Sequence, residues 1–177
     1  MKWRIIKTPL DSGEVERFKA GDFCLLSGEI YTARDKAHKR LMELMRRKKR
    51  LPFDLRGAII YYTGPTPPRS GEVIGSAGPT TSGRMDRFAL VFYRSGVKGT
   101  IGKGERDSSV KEAVKRYKGI YFITWGGCGV YLKQFIQDSE LVAFPELGPE
   151  AIYKLKVEKF PVIVAIDSTG KTVFKHC

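Results

Sequence analysis

The segment GPTTSGRMD, from Gly78 to Asp86, gathers residue types that together can bind an anion. If a helix begins near Thr81, its first backbone N–H groups lack intrahelical partners and form an anion site with the helix dipole. Arg84 offers a planar fork for a carboxylate or phosphate, and Gly83 lets a ligand approach the backbone. Thr80 would face the same pocket as Arg84, since the two are four residues apart, while Thr81 is better placed as a cap. An N-cap followed by a surface arginine explains these residues equally well.

A second group of candidates is the segment YTARDKAHKR, residues 31–40. Arg34, Asp35 and His38 stand together just past a predicted strand, and ligands of α/β sheets bind outside the carboxyl ends of the strands. Taken alone, the pattern is better explained by a helix whose first turn is capped by Asp35 and whose His38 is structural.

A third candidate is Lys103, which lies between two glycines in TIGKGERD and is predicted to occupy a flexible tip. The segment is not a phosphate-binding P-loop, because no serine or threonine follows the lysine and the upstream glycine spacing is wrong. Alone, such a lysine usually belongs to an ordinary loop. Together, however, the three segments each place a cation in a loop or helix start, and a ligand with two carboxylates would use all of them.

The net charge favours anionic partners without choosing among them. Lysines and arginines exceed acids by 32 − 19 = +13. The densest basic run, Arg46–Arg50, is best explained as the last turn of a helix, where cations complement the dipole; a protein-docking surface is the alternative. We expect no nucleic-acid partner, because the run has no interleaved aromatic residues and no recognised binding module.

The remaining bulk features predict a cytoplasmic protein of one domain, residues 1–177. No apolar run approaches the roughly 20 residues that span a bilayer, and the basic start lacks the apolar region of a secretory signal. The three cysteines, Cys24, Cys128 and Cys177, are odd in number and scattered, which is typical of reduced thiols. Without a CxxC or Cys/His spacing, we expect no metal site in this chain.

Short strands and helices alternate along the chain, which predicts an α/β fold. A capping box at Ser109 and Glu112, with Gly119 at the end, marks one helix, and a Ser-Thr-Gly turn predicts a closing hairpin. The predicted strands begin at residues 22, 57 and 120, the predicted helices cover residues 33–52, 80–96, 107–119 and 129–137, and the hairpin covers residues 160–174.

The order of the motifs resembles the beta subunit, or C-terminal domain, of class I fumarate hydratases and L(+)-tartrate dehydratases. The resemblance extends over nearly the whole chain and is carried by GEIYTARDKAHKRL, YYTGP, GPTTSGRMD, IGKG and ELGPEAIYKLKVEKFPVIVAIDSTG. It implies a swivelling β/β/α layered domain, which is an α/β fold distinct from a Rossmann domain.

The resemblance also implies half of an enzyme. In this family an alpha subunit, or N-terminal domain, carries a [4Fe-4S] cluster, and the beta part supplies substrate-holding residues, which by motif are Arg34, Thr80, Arg84 and Lys103. The position of Thr80 is the one proposed to take a proton from the carbon beside a carboxylate. The chain would work in a hetero-oligomer on a dicarboxylate, hydrating fumarate to L-malate.

Other possibilities remain at this point. Dehydration of tartrate fits equally, because both substrates carry two carboxylates. A non-catalytic basic module for regulation or nucleic-acid binding would explain the charge without chemistry. The GGCG stretch, residues 126–129, departs from the family's Gly-Gly-Ala-Ala, and we expect Cys128 to be a small packing residue.

Overall fold

The computed structural model describes residues 2–174, so Cys177 lies outside the described residues. A seven-stranded sheet organises the described chain, in the order β1-β2-β3-β4-β5-β7-β6. Strands β1 to β5 run parallel, while β7 runs antiparallel to its neighbours β2, β5 and β6. The strands are β1 (Arg4–Lys7), β2 (Phe23–Thr32), β3 (Ile59–Tyr61), β4 (Gly99–Gly102), β5 (Ile120–Ile123), β6 (Ile136–Ala143) and β7 (Ile152–Ile166).

Strand β7 closes the sheet upon itself. It pairs with β5 through Tyr121–Ile123 and with β2 through Phe23–Tyr31, so β2, β3, β4, β5 and β7 form a continuous ring of pairings. The largest apolar cluster is contributed mainly by these strands and includes Leu26, Ile59 and Phe122, each fully buried. The ring therefore fixes the ends of β2 to β5 relative to one another.

Helices follow the parallel strands and cover the sheet. Ala37 and Leu41 of α2 and Phe92 of α3 pack in one buried cluster with Ile60 and Tyr62, which is the layer that holds both helices to the sheet. The helices are α1 (Ser12–Glu16), α2 (Asp35–Arg46), α3 (Asp86–Arg94), α4 (Ser108–Arg116) and α5 (Gly129–Leu132), with 3₁₀ turns at Ser82–Met85, Lys133–Phe135 and Pro145–Glu150.

The predicted α/β class is confirmed, and several boundaries are corrected. The first predicted helix ends at Arg46 rather than near Pro52, because Lys48 takes a left-handed φ of 52°. Most of the basic run at residues 46–50 therefore follows the helix instead of forming its last turn. Asp107, and not Ser109, caps α4 by accepting a hydrogen bond from the backbone of Val110.

The predicted hairpin is present only as a turn. Strand β7 is 15 residues long and starts at Ile152, well before the predicted first strand. After the turn, Thr172 forms a single isolated bridge with Ile166, so the second predicted strand is reduced to one residue. Within residues 2–174, none of the helices has the length and hydropathy of a membrane span.

Candidate functional site

The candidate residues converge on one edge of the sheet. Strands β2 to β5 are parallel, so their carboxyl ends lie together. Arg34 follows the end of β2 by two residues, and Lys103 directly follows β4. This position agrees with the general placement of ligand sites outside the carboxyl ends of such strands.

The segment 78–86 runs along this edge and is tied to it by backbone hydrogen bonds. The amide of Thr80 donates to the carbonyl of Tyr62 at 2.8 Å, and the amide of Ser82 donates to the carbonyl of Lys103 at 2.9 Å. Thr81 and Lys103 also form an isolated parallel bridge. The segment thus extends the sheet beyond β3 and β4 and brings Thr81 beside Lys103.

The predicted helical relation between Thr80 and Arg84 is wrong. Because Thr80 is held in the extension of the sheet, no helical turn includes it; a 3₁₀ turn covers Ser82–Met85 and α3 begins only at Asp86. Thr81 occupies the N-cap position but makes no side-chain capping bond. The structure therefore supports neither the shared helix face nor the side-chain cap.

Arg34 is the N-cap of α2, and its side chain lies against the turn after β3. A Cβ atom placed on Gly64 would lie 3.0 Å from Nη1 of Arg34, so a larger residue would crowd this guanidinium. Nε of Arg34 is buried and 3.9 Å from Oε1 of Glu150, and it has no hydrogen-bond partner in the described chain. It is therefore a buried donor that a ligand carboxylate would satisfy.

Asp35 forms ion pairs instead of capping α2. Oδ2 of Asp35 lies 3.0 Å from Nη2 of Arg84, in the geometry of an ion pair rather than an aligned hydrogen bond, and Oδ1 lies 3.9 Å from Nη2 of Arg87. The predicted capping role of Asp35 is wrong, since α2 has no side-chain cap bond. The pair brings Arg84 to the start of α2, the helix whose N-cap is Arg34.

His38 is structural, as the second motif alone suggested. Its ring is buried among Tyr62, Phe88 and Phe92. Nδ1 lies 2.8 Å from the carbonyl oxygen of Arg34 and must carry the proton, because a carbonyl only accepts. Burial lowers the pKa of His38 to about 4, so the ring is neutral near pH 7.

Lys103 is not on a flexible tip. Its carbonyl accepts from Ser82, and its aliphatic chain crosses Gly126, where a Cβ would lie 3.1 Å from Cδ of the lysine. Its exposed side chain is therefore directed by contacts from β4, the segment 78–86 and the turn after β5.

The small residues after β5 permit close packing, as predicted. A Cβ on Gly129 would lie 2.3 Å from Oγ of Ser76 and 2.7 Å from the amide nitrogen of Gly78. Cys128 is half-buried at the N-cap of α5, and its packing role stays a prediction.

The chemistry that this edge supports is recognition of carboxylates. Arg34, Arg84 and Lys103 bring three cations from three segments, and the hydroxyl of Thr80 lies on the segment that joins them. Among residues 2–174, no group of three or more His, Cys, Asp or Glu side chains is placed to hold a metal ion. Burial raises the pKa of Cys24 to about 12, so its thiol is protonated near pH 7.

Sequence reasoning missed the groups that support the edge from within the fold. Arg106 is completely buried and pairs with Asp86, and the hydroxyl of Tyr121 lies 2.9 Å from Oγ of Ser82. No local pattern distinguishes Arg106 from the exposed charges around it; the acid at the end of GPTTSGRMD was the only signal that a buried cation was needed.

Comparisons with known proteins agree on one family. The family model described as "Fumarase C-terminus" matches residues 5–177. Fumarate hydratase 2 of Leishmania major is 35% identical over 173 residues, which cover 96% of this chain and 30% of the relative. The putative L(+)-tartrate dehydratase subunit beta of Methanocaldococcus jannaschii is 37% identical over 173 residues, covering 94% of this chain and 89% of the relative.

A third relative, the L(+)-tartrate dehydratase subunit beta of Escherichia coli K12, is 35% identical over 175 residues, covering 96% of this chain and 86% of the relative. The chain therefore spans nearly all of two beta subunits but less than a third of the fumarate hydratase.

Proposed function

Because this chain belongs to the fumarase C-terminus family, we propose that it is the beta subunit of a hydro-lyase that hydrates fumarate reversibly to L-malate. The membership confirms the resemblance that the sequence motifs carried. The swivelling β/β/α architecture, the single domain over residues 1–177 and the cytoplasmic location are parts of the same proposal.

One observation carries the proposal: three cations on three segments, and a hydroxyl on the same segment as Arg84, all lie at the carboxyl edge of the parallel strands. The ion pair between Arg84 and Asp35 and the bridge between Thr81 and Lys103 hold these segments together. A dicarboxylate is the ligand that would use all three cations, because each carboxylate then gains at least one charged donor.

In this proposal the chain binds the carboxylates of the substrate and stabilises the negative charge that develops during the reaction. Arg84, half-exposed, presents its fork to one carboxylate, and Arg34 and Lys103 serve the other. The same cations stabilise the additional negative charge that develops when a proton leaves the carbon beside a carboxylate. The side-chain oxygen of Thr80, deprotonated because the neighbouring cations lower the pKa of its hydroxyl, takes that proton.

A partner must complete the site. The described residues offer no ligand set for an iron–sulfur cluster, so we propose that the cluster belongs to an alpha subunit that binds this chain. Bound there, the cluster supplies Lewis acidity for the substrate hydroxyl. The acid that handles the leaving water is also assigned to the alpha subunit.

Dehydration of L(+)-tartrate is the second candidate function. It is favoured by the two relatives that this chain spans almost completely, both of which are named as beta subunits of L(+)-tartrate dehydratase. The cations at the edge do not separate the two substrates, because each has two carboxylates.

Anaerobic reconstitution with the co-purifying partner tests the proposal. The complex should be assayed against fumarate, L-malate and both tartrate enantiomers, with the isolated chain as the control. We expect the complex to turn over fumarate and the isolated chain not to do so. Full turnover by the purified, metal-free chain would refute the need for a partner, and salt-sensitive DNA binding without any turnover would favour the basic-module alternative.

A further inference from the structure

Arg106 is a completely buried cation, close behind the candidate site in the fold. Its side chain has 0% exposure, and it follows Lys103 by three residues. Burying an arginine costs several kcal/mol unless its charge is paired and its donors are satisfied. Neither the proposed chemistry nor the packing of the apolar core requires a charge at this position.

The partners of Arg106 come from separate elements. Nε donates to Oδ1 of Asp86, and Nη1 donates to Oγ1 of Thr100 at 3.3 Å. The guanidinium also stacks over two aromatic rings, with its central carbon 4.8 Å from the ring centre of Tyr121 and 5.3 Å from that of Tyr62. Arg106 thereby links the start of α3 to β4, β5 and the end of β3.

Two of these partners connect Arg106 to the segment 78–86: one belongs to the segment and the other contacts it. Asp86 is its last residue, and Oδ2 of Asp86 accepts the backbone N–H of Asp107 at 2.8 Å. The hydroxyl of Tyr121 is within hydrogen-bond distance of Oγ of Ser82 and of the Gly104 carbonyl, at 2.9 and 2.7 Å. The segment is therefore held at its end by Asp86 and in its middle by Ser82.

We propose that Arg106 is a positioning residue for the site: by pairing with Asp86 and facing Tyr121, it fixes the segment 78–86 against β4. The catalytic part of this inference rests on the proposed function, because Thr80 and Arg84 are the groups that the segment presents. The structural part, the immobilisation of the segment, stands independently of any activity.

Hydrogen exchange in the full chain tests the structural part. In Arg106→Met, the amides of Thr80 and Ser82 should exchange at least about tenfold faster than in the wild type, the scale of one lost buried partner. Amides of the pairing between β2 and β7 should keep their rates. The matched control is Arg56→Met, which breaks an ion pair with Asp54 on the exposed surface. Unchanged exchange at Thr80 and Ser82 in Arg106→Met overturns the proposal.

Kinetics of the reconstituted complex test the catalytic part. Arg106→Met should lower kcat roughly ten- to a hundredfold in the wild-type background, within the range for loss of one catalytic group. In a Thr80→Val background the same change should lower kcat by a clearly smaller factor, because one of the two groups that it positions is already gone. Equal losses in both backgrounds would indicate a merely structural role and overturn the inference.

Failure of the proposed function is recognised separately. If Thr80→Val turns over like the wild type, the assignment of Thr80 is wrong, and the exchange rates alone then decide whether Arg106 immobilises the segment. If Arg106→Met does not fold, Asp86→Asn replaces it, since this variant keeps the shape of the side chain and removes the charge that pairs with Arg106. Faster exchange of the Thr80 and Ser82 amides in Asp86→Asn supports the proposal, and an unchanged rate overturns it.

Discussion

The guanidinium of Arg84 lies 3.0 Å from the carboxylate of Asp35, and this pair joins the two sequence motifs that first suggested a site. The side chain of Asp35 is 17% exposed and that of Arg84 is 53% exposed, so the acid is fixed by the fold while the arginine reaches toward solvent. The acid of the second motif therefore orients the cation of the first, and the arginine keeps donors available for a ligand.

We expect Asp35→Asn to weaken substrate binding. The variant keeps the shape of the side chain but loses the charge that holds Arg84, and a half-exposed ion pair contributes up to about 1 kcal/mol. The KM of the reconstituted complex should rise roughly two- to fivefold with a smaller change in kcat. A lower KM would show that Asp35 mainly repels the dicarboxylate rather than orienting Arg84.

Arg84→Lys tests the fork itself. Lysine keeps the charge but not the two parallel donors. Activity of the complex should fall by roughly ten- to a thousandfold, the range for one lost transition-state contact. Arg50→Ala, in the basic run beyond α2, is the control and should change little. Wild-type kcat and KM in Arg84→Lys would remove this residue from the site.

The sequence predicts the position of Arg34 better than it predicts the boundaries of the elements. Arg34 was expected just past a strand, and it follows β2 by two residues, because the apolar run and the polar break after it are both local signals. The 3₁₀ turn at Ser82–Met85 was expected as regular helix. What displaces the helix is the pairing of Thr80 with Tyr62, a contact between distant segments that local propensity does not encode.

The same limit explains the residues that the sequence did not reveal. Strand β4 contains only four residues, two of them glycines, so it lacks the β-branched run that predicts a strand. Its neighbour Lys103 was consequently expected on a flexible tip. Arg106 is buried because Asp86, Thr100, Tyr121 and Tyr62, which come from different elements, surround it. No spacing rule of the sequence connects those positions.

Gly129→Ala should destabilise the chain. A Cβ there would lie 2.3 Å from Oγ of Ser76 and 2.7 Å from the amide nitrogen of Gly78, and that backbone atom cannot move aside cheaply. Overpacking of this kind costs about 1–3 kcal/mol, which lowers Tm by roughly 2–4 °C per kcal/mol at this chain length. Gly83→Ala is the matched control for stability, because the nearest atoms to its Cβ would be 3.9 and 4.0 Å away. Equal Tm values for both variants would contradict this expectation.

His38 should make the stability of the chain depend on pH. Its pKa is about 4 in the folded chain and 6.5 when unperturbed, so below pH 6.5 the unfolded chain binds a proton that the folded chain does not. The stability that the neutral ring contributes is complete above pH 6.5 and is lost as the pH falls toward 4. Arg106 and Asp35 are the charged groups that act on this ring, in opposite directions.

Urea unfolding at pH 7 and pH 4.5 measures this contribution. The wild type should lose about 2 kcal/mol more than His38→Asn between the two pH values, because asparagine does not titrate. The asparagine amide also retains a donor for the Arg34 carbonyl. Equal losses in the two proteins would show that His38 is not kept neutral by the fold.

Thr80 and Thr81 are adjacent, but they differ in burial and in their hydrogen bonds. Thr80 is half-buried with its amide bound to Tyr62, whereas Thr81 is exposed and its side chain caps nothing. Thr80→Val should lower kcat at least roughly a hundredfold, the usual scale for a lost general base. Thr81→Val should leave kcat nearly intact and change stability by less than about 0.5 kcal/mol, since no capping bond is lost.

Isotope exchange makes the comparison between the two threonines sharper than rates alone. In deuterated water the wild-type complex should wash the C3 hydrogen out of malate, and Thr80→Val should not, because the group that removes this proton is gone. If Thr81→Val loses the exchange while Thr80→Val keeps it, the base is the neighbouring hydroxyl. If both variants keep wild-type exchange, the base belongs to the partner subunit, and the segment 78–86 only binds the substrate.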